Sequence, residues 1–305
     1  MFLTIFTPIY NRGKYFKRLF YSIENQTCKD FEWIILNDGS TDNTKQVVES
    51  CINNSKIQSI KFKTIKNGGK QRAINEAVKM ADGEYFLIVD SDDWIKKNAV
   101  SLLKKWVRDI KQTKDYANFA GVSGLRQRPN GTFLSGIDKN RKVIDATNLE
   151  RDKYNLQGDM AEAYKTNILR KYPFKVFQNE NFITEETVWN KIAADGYKIR
   201  WHMVPIYVGD YLSDGLTKNS TKRDIKNFKG LIYSTKMALK LKPIRYNLHY
   251  LYYYVEIGKK KSYSYKKLAN LIDMPTYSLF IEYILYKRLK RIKRLITFET
   301  VKKFV

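Results

Sequence analysis

From residue 2 to residue 89 the chain alternates between two apolar spacings. Residues 2–7 carry β-formers and predict a first strand, and 13–27 place Phe16, Leu19, Phe20 and Ile23 at helical spacing. "EWIILN" (32–37) predicts a short buried strand. "DGSTDNT" (38–44) is a loop rich in helix-capping residues, and a helix bearing Val47, Val48 and Cys51 follows it. "IKFKT" (60–64) predicts a third strand, "NGG" (67–69) a turn, 70–80 a helix with Ala73, Ile74, Ala77 and Val78 inward, and "YFLIV" (85–89) a fourth strand. Strand and helix in strict alternation predict an α/β fold, with a mostly parallel sheet and helices on both faces.

After residue 110 the pattern loosens. "LRQRPNGTFL" (125–134) predicts a hairpin, "DMAEAYKTNILRKYPF" (159–174) a helix stopped by Pro173, and "ITEETVWNKIAADGY" (183–197) a helix with an acidic start and a glycine stop. "IRWHMVPIYV" (199–208) is expected as an extended pair broken by Pro205, and the sequence beyond Asn219 as basic, aromatic and helical. No internal repeat is visible.

Composition adds bounds. At 305 residues with 43% hydrophobic content, the chain is long enough for one large core plus a smaller part. Two cysteines, Cys28 and Cys51, are too few for a disulfide framework and fit a reducing, cytosolic compartment. The start "MFLTIFTPIYNRGK" has no basic leader, and Pro8 interrupts its short apolar run, so it is expected as a strand rather than a signal peptide. No run reaches the ~18 apolar residues of a membrane-spanning helix. The net charge of +25 is uneven: residues 226–305 hold 19 Lys/Arg and four acidic residues, a balance of +15. That segment favours an anionic partner.

Chemistry enters at the strand ends, where parallel α/β sheets bind their ligands. "TPIYN" follows the first strand, "NDGS" the second and "DSDD" the fourth. Asp90, Asp92 and Asp93 repel one another, yet they stand together in a basic chain at the end of a buried strand. Carboxylates one residue apart can converge on a hard, oxygen-preferring dication, Mg²⁺ or Mn²⁺, that bridges to substrate phosphates. Lys70 and Arg72 stand at a helix start, where cations oppose the helix dipole, and that placement favours a bound anion.

"TPIYNR", "NDGSTDNT", "NGGKQRAINEAV" and "VDSDD", in this order and spacing, resemble the family 2 glycosyltransferases of the GT-A fold. "NFITEETVWNKIA" and "GDYLSDGLTKN" look like later motifs of bacterial members that build surface polysaccharides. The resemblance implies a Rossmann-like catalytic domain over 1–219, with a nucleotide-sugar half (1–110) and an acceptor half (111–219). The basic helical region at 220–305 lies outside it. It further implies an inverting, metal-dependent transfer of sugar from a nucleotide diphosphate, UDP in most relatives, to a glycan or lipid-linked acceptor. Carried over, Pro8 and Tyr10 line the nucleoside pocket and Asp38 accepts from the base ring. Lys70 and Arg72 lie near ribose and diphosphate, and Asp90 and Ser91 contact the donor. Asp92, with Asp90, holds Mn²⁺ or Mg²⁺, and Asp93 supports them.

Inversion needs a general base for the acceptor hydroxyl. The family motif places an acid at the head of the helix near residue 184, and here two are present, Glu185 and Glu186. Glu185 lies three, four and seven residues before Val188, Trp189 and Ile192 and so shares their face, which favours it. Glu186 is turned about 100° away. Asp159 and Glu162 are candidates to meet acceptor or sugar, while His202 and His249 lack metal-ligand spacing and are expected to be structural. Two other functions compete: a nucleotidyltransferase using similar carboxylates, and a basic nucleic-acid-binding protein. The second leaves the three strand-end motifs unexplained. Near the C-terminus, Leu285, Leu289, Ile292 and Ile296 form an apolar stripe among Lys287, Arg288, Lys290, Arg291, Lys293 and Arg294. Such a helix suits peripheral attachment to the anionic inner leaflet of the plasma membrane, or an oligomer contact.

Overall fold

The computed structural model describes residues 1–209, 212, 215, 219–242 and 244–302, with 244–246 and 292–302 described by backbone. The chain forms two compact units, Met1–Val176 with Val188–Ser213, and Phe177–Thr187 with Asp214–Val305.

The first unit is built on a sheet of nine strands among the described residues. They are β1 (Leu3–Ile9), β2 (Phe31–Asn37), β3 (Ile60–Thr64), β4 (Tyr85–Ile88), β5 (Trp94–Ile95), β6 (Phe119–Gln127), β7 (Val143–Ala146), β8 (Met160–Lys165) and β9 (Lys198–Val208). Their order is β3-β2-β1-β4-β8-β6-β9-β5, with β7 against β9. The first four strands are parallel neighbours, with Leu3 opposite Phe31 and Tyr85, and Trp33 opposite Ile60. Beyond β4 the sheet is mixed: β8 runs antiparallel to β4 and β6, and β9 parallel to β6 but antiparallel to β5 and β7. The expected parallel sheet therefore describes the first half of the unit.

Helices α1 (Gly13–Glu24), α2 (Thr44–Asn53) and α3 (Lys70–Met80) form where the 3.6-residue spacing predicts, and α4 (Ala99–Lys111) follows β5. Phe16, Leu19, Phe20 and Ile23 of α1 are buried, and Phe16 stacks on Trp33 of β2 at 5.5 Å between ring centroids. Residues of β1 and β2 are buried almost throughout, as expected of strands covered on both faces.

Two expectations need correction. Residues 159–174 do not form one helix: Met160–Lys165 is strand β8 and only Thr166–Lys171 is helical (α5). Pairing on both sides, to β4 and β6, outweighs the helix propensity of "MAEAYK". Residues 198–208 form one strand, not a broken pair. Pro205 lies opposite Leu125, where the β6–β9 register slips, so its missing N–H interrupts no regular ladder.

Helix α6 (Glu186–Ala194) begins with its first two residues in the second unit. That unit is otherwise helical: α7 (Ser220–Lys226), α8 (Phe228–Leu241), α9 (Ile244–Lys260), α10 (Tyr265–Leu271) and α11 (Thr276–Lys302). It has its own core, in which Phe228, Leu251, Tyr254, Val255, Leu268, Leu279 and Tyr283 pack together.

Candidate active site

The carboxyl ends of β1, β2 and β4 gather most of the candidate side chains in the first unit. Asp38 follows β2 and is buried. Its two carboxylate oxygens accept the Gly68 and Gly69 N–H groups, each at 2.8 Å, and Asn67 Nδ2 donates to its carbonyl at 2.7 Å. Gly69 has φ +89°, a value glycine adopts without strain, and α3 starts at the next residue. The "NGG" turn is thus folded onto Asp38. Burial pushes the Asp38 carboxyl up, against the pull of the two N–H groups and Arg72. The Arg72 guanidinium donates to the Gly68 carbonyl. Pro8 is half-buried in β1 opposite Leu36, and Tyr10 beyond it is exposed. Asn11 turns the chain at φ +49°; its N–H donates to Ser40 Oγ at 3.0 Å and its Oδ1 accepts from the Thr41 N–H at 2.8 Å.

The aspartates after β4 sit among cations. Lys70 Nζ is 2.5 Å from Asp90 Oδ1, and Arg126 Nη1 is 3.9 Å from both Asp90 Oδ2 and Asp93 Oδ2. Arg12 Nε lies 3.4 Å from Asp92 Oδ2, and Arg18 donates to the Asp92 carbonyl at 2.6 Å while covering the Trp94 ring. The Tyr207 hydroxyl donates to Asp93 Oδ2 at 2.8 Å and accepts the Asp90 N–H at 3.0 Å. Arg126 stacks over the Tyr207 ring at 4.0 Å and donates to the Met160 carbonyl at 2.7 Å. Ser91 is buried in the same turn.

These contacts divide the three carboxyls. Burial works to raise Asp90, but Lys70 and Arg126 outweigh it and hold the group below the usual range. Burial and then the charge of Asp90 push Asp92 up. The same two causes push Asp93 to about 7. Among the described residues no three His, Cys, Asp or Glu side chains form a complete metal cage. The donor set nonetheless fits an ion of the Mg²⁺ kind, which is held by one or two carboxylates and completed by substrate phosphates and water.

Arg12, Arg126 and Tyr207 touch the aspartates but are not singled out by the sequence. Arg126 lies next to the end of β6 and Tyr207 near the end of β9, 34 and 117 residues from the groups they contact, Met160 and Asp90. Their only signal is polar or aromatic residues at the end of apolar strands.

Glu185 and Glu186 belong to the second unit. Glu185 stands immediately before α6 and Glu186 is its first residue. Within that unit Glu186 pairs with Lys242, and its two oxygens accept from the Tyr250 hydroxyl at 3.0 and 2.9 Å. Val188, Trp189 and Ile192 form the buried face of α6, as their spacing predicts. Asp159 and Glu162 are not on a helix: Asp159 precedes β8, and Glu162 lies within it opposite Ser123. His202 is buried against Trp106, and His249 Nδ1 is 3.0 Å from the Tyr286 hydroxyl. The motif "GDYLSDGLTKN" and the side chains of Ile292, Lys293, Arg294 and Ile296 lie outside the described residues, apart from Gly209, Leu212, Gly215 and Asn219.

An α/β sheet whose parallel strands end in carboxylates, a glycine turn and converging cations offers a site at its carboxyl edge that suits phosphorylated ligands. Residues 4–135 match the model of glycosyl transferase family 2. Over 134 residues it is 40% identical to a chondroitin synthase of Pasteurella multocida, covering 44% of this chain and 13% of that protein. Over 135 residues it is 36% identical to the poly(ribitol-phosphate) beta-N-acetylglucosaminyltransferase TarS of Staphylococcus aureus, covering 44% of this chain and 23% of TarS. The chain thus spans well under half the length of these relatives. The fold is shared with solved structures. TarS 1-349 in complex with UDP-GlcNAc has a TM-score of 0.63 at 21% identity, covering 89% of this chain and 76% of that one. A mannosyltransferase from Pyrobaculum calidifontis in complex with GDP-Man and Mn²⁺ has a TM-score of 0.55 at 17% identity, covering 98% and 79%.

Proposed function

We propose that the chain is an inverting, divalent-metal-dependent glycosyltransferase that moves a sugar from a UDP-sugar to a glycan or lipid-linked acceptor during bacterial cell-surface polysaccharide synthesis. The observation that carries this reading is the cluster of Asp90, Asp92 and Asp93 with Lys70, Arg12 and Arg126 at the end of β4. Residues 1–110 are the nucleotide-sugar half and 111–219 the acceptor half. Asp38 accepts from the base ring, beside Pro8 and Tyr10. Lys70 and Arg72 meet the diphosphate, and Asp90 and Ser91 the donor. Asp92, with Asp90, would hold Mn²⁺ or Mg²⁺, whose charge stabilises the departing diphosphate. When donor binds, Lys70 can shift its charge from Asp90 toward phosphate, which leaves a carboxylate for the ion. Glu185 takes the proton of the acceptor hydroxyl; the partners of Glu186 suit a structural role better.

Incubating the protein with a panel of nucleotide-sugars and Mn²⁺, and analysing the products, tests this reading. Nucleotide diphosphate and glycosylated acceptor are expected, with loss of turnover in EDTA. Pyrophosphate release would instead indicate a nucleotidyltransferase. Glu185→Gln should lower turnover by about 10²–10⁴-fold with UDP binding retained. If Glu186→Gln does this and Glu185→Gln does not, the base is misassigned.

A further inference from the structure

Residues 177–187, which carry both candidate bases, make a series of contacts with the helices of their own unit. Asn227, 2% exposed at the joint between α7 and α8, accepts the Asn181 and Phe182 N–H groups on Oδ1 at 2.7 and 3.0 Å. Its Nδ2 donates to the Arg223 carbonyl at 2.7 Å. Glu180, also buried, accepts the Lys229 N–H on one oxygen and the Gly230 N–H on the other, both at 2.8 Å. These are two of the donors that the first turn of α8 cannot satisfy internally. The approach is close: a Cβ on Gly230 would lie 2.6 Å from the Phe182 carbonyl oxygen. The Arg223 guanidinium covers the Phe182 ring at 3.8 Å, and its charge is answered by Asp224, which also accepts from the Tyr253 hydroxyl at 2.6 Å. At the far end of the segment Glu186 pairs with Lys242, just past α8, and with Tyr250 of α9; Lys242 Nζ is itself 2.7 Å from the Tyr250 hydroxyl.

Residues 177–185, which form no helix or strand, are held at several points through the buried side chains of Asn227 and Glu180. Glu180 and Asn227 have placed their side-chain acceptors on backbone N–H groups, so each fixes the path of a chain rather than a side chain. We infer that helices α7, α8 and α9 form a clamp that positions the segment bearing the general base, with Asn227, Glu180, Lys242 and Tyr250 as its positioning residues. The inference rests on the functional reading above, and it gives the basic helical unit a part in catalysis. Holding a base within a fraction of an ångström of its working place is worth orders of magnitude in rate, whereas donor affinity does not depend on it.

The test uses the full chain and the variants Asn227→Ala, Asn227→Asp and Lys242→Met. Amide exchange across 177–187, donor KM, kcat and UDP affinity by calorimetry are measured on each. Asn227→Ala is expected to speed exchange at Asn181 and Phe182 and to lower kcat by about tenfold or more, with donor KM and UDP affinity within about twofold of the wild type. Asn227→Asp, which keeps the acceptor, should recover part of the loss. Lys242→Met alters only the outer anchor and provides the same readout should Asn227→Ala fail to fold. Unchanged exchange in the variants overturns the clamp, and so does faster exchange with kcat intact or a parallel fall in UDP affinity. Exchange is read without turnover: a wild type that transfers no sugar, with exchange rising in the variants, overturns the functional reading and leaves the anchoring in place.

Discussion

His202 lies face to face with Trp106, ring centroids 4.1 Å apart, and its Nε2 meets no hydrogen-bond partner. Burial, with Arg200 and Lys105 adding to it, pushes its pKa down from 6.5 to about 3. An unfolded chain binds a proton at this ring below pH 6.5, while the folded one resists until about pH 3. The neutral ring's stability is therefore fully present above pH 6.5 and is lost as pH falls toward 3. The loss should reach about 2 kcal/mol at pH 5 and approach about 5 kcal/mol near pH 3. His202→Phe keeps the stack without the titration, so urea unfolding from pH 7 to 4 should show a shallower decline than the wild type; equal slopes would refute the assignment. Asp38, Lys70, Asp90 and Asp92 were legible because each ends or begins an element whose period is plain. Arg126 and Tyr207 were not, because their role depends on which strands become neighbours, and β6 and β9 lie far from β4 in the chain.

At the scale of elements, the opposite edge of the same strands shows how the parallel half is fastened. Glu32 of β2 is fully buried, which works to raise its carboxyl, yet its partners hold it below the usual range. Thr4 of β1 donates to it at 2.7 Å, the Asp82 N–H at 2.6 Å and the Gly83 N–H at 3.3 Å, and Lys61 of β3 lies 2.7 Å away. One side chain thereby ties together β1, β2, β3 and the entry to β4. Glu32→Met would leave those donors unanswered in an apolar setting, at a cost of about 3 kcal/mol or more, read as a lower urea midpoint at unchanged slope. A destabilisation under 1 kcal/mol would show that water replaces the carboxylate. The first four strands were legible because local spacing and strand pairing agree there. "MAEAYK" was not: its residues favour a helix locally, and only β4 and β6 on either side make it a strand.

The chain combines a unit whose residues 4–135 match the family 2 model with a helical unit that holds most of the excess charge. No described helix is long and apolar enough to cross a membrane. Along α11 one face packs inward through Leu279 and Tyr283, while Tyr277 (71% exposed), Phe280, Ile281 (59% exposed), Leu285 and Leu289 lie open to solvent. Lys287, Arg288, Lys290 and Arg291 follow on the same helix, all exposed. Membrane attachment through this stripe is a proposal: an anionic lipid surface would take its side chains into the acyl region and contribute about 1 kcal/mol per lysine or arginine at the headgroups. The sequence disclosed the charge and the stripe residues Leu285 and Leu289, but not the exposure of Tyr277, Phe280 and Ile281, which depends on how α11 lies against α9. Co-sedimentation with vesicles containing phosphatidylglycerol should capture the protein at low salt and release it as salt rises, with little capture by neutral vesicles. Leu285→Glu combined with Leu289→Glu, both on the exposed side and so outside the core, should abolish capture while leaving the circular dichroism spectrum and melting temperature unchanged. If the double variant still sediments with vesicles, attachment does not use this stripe. If the wild type ignores vesicles but dimerises in solution, with the double variant monomeric, the stripe meets a second copy of the chain instead.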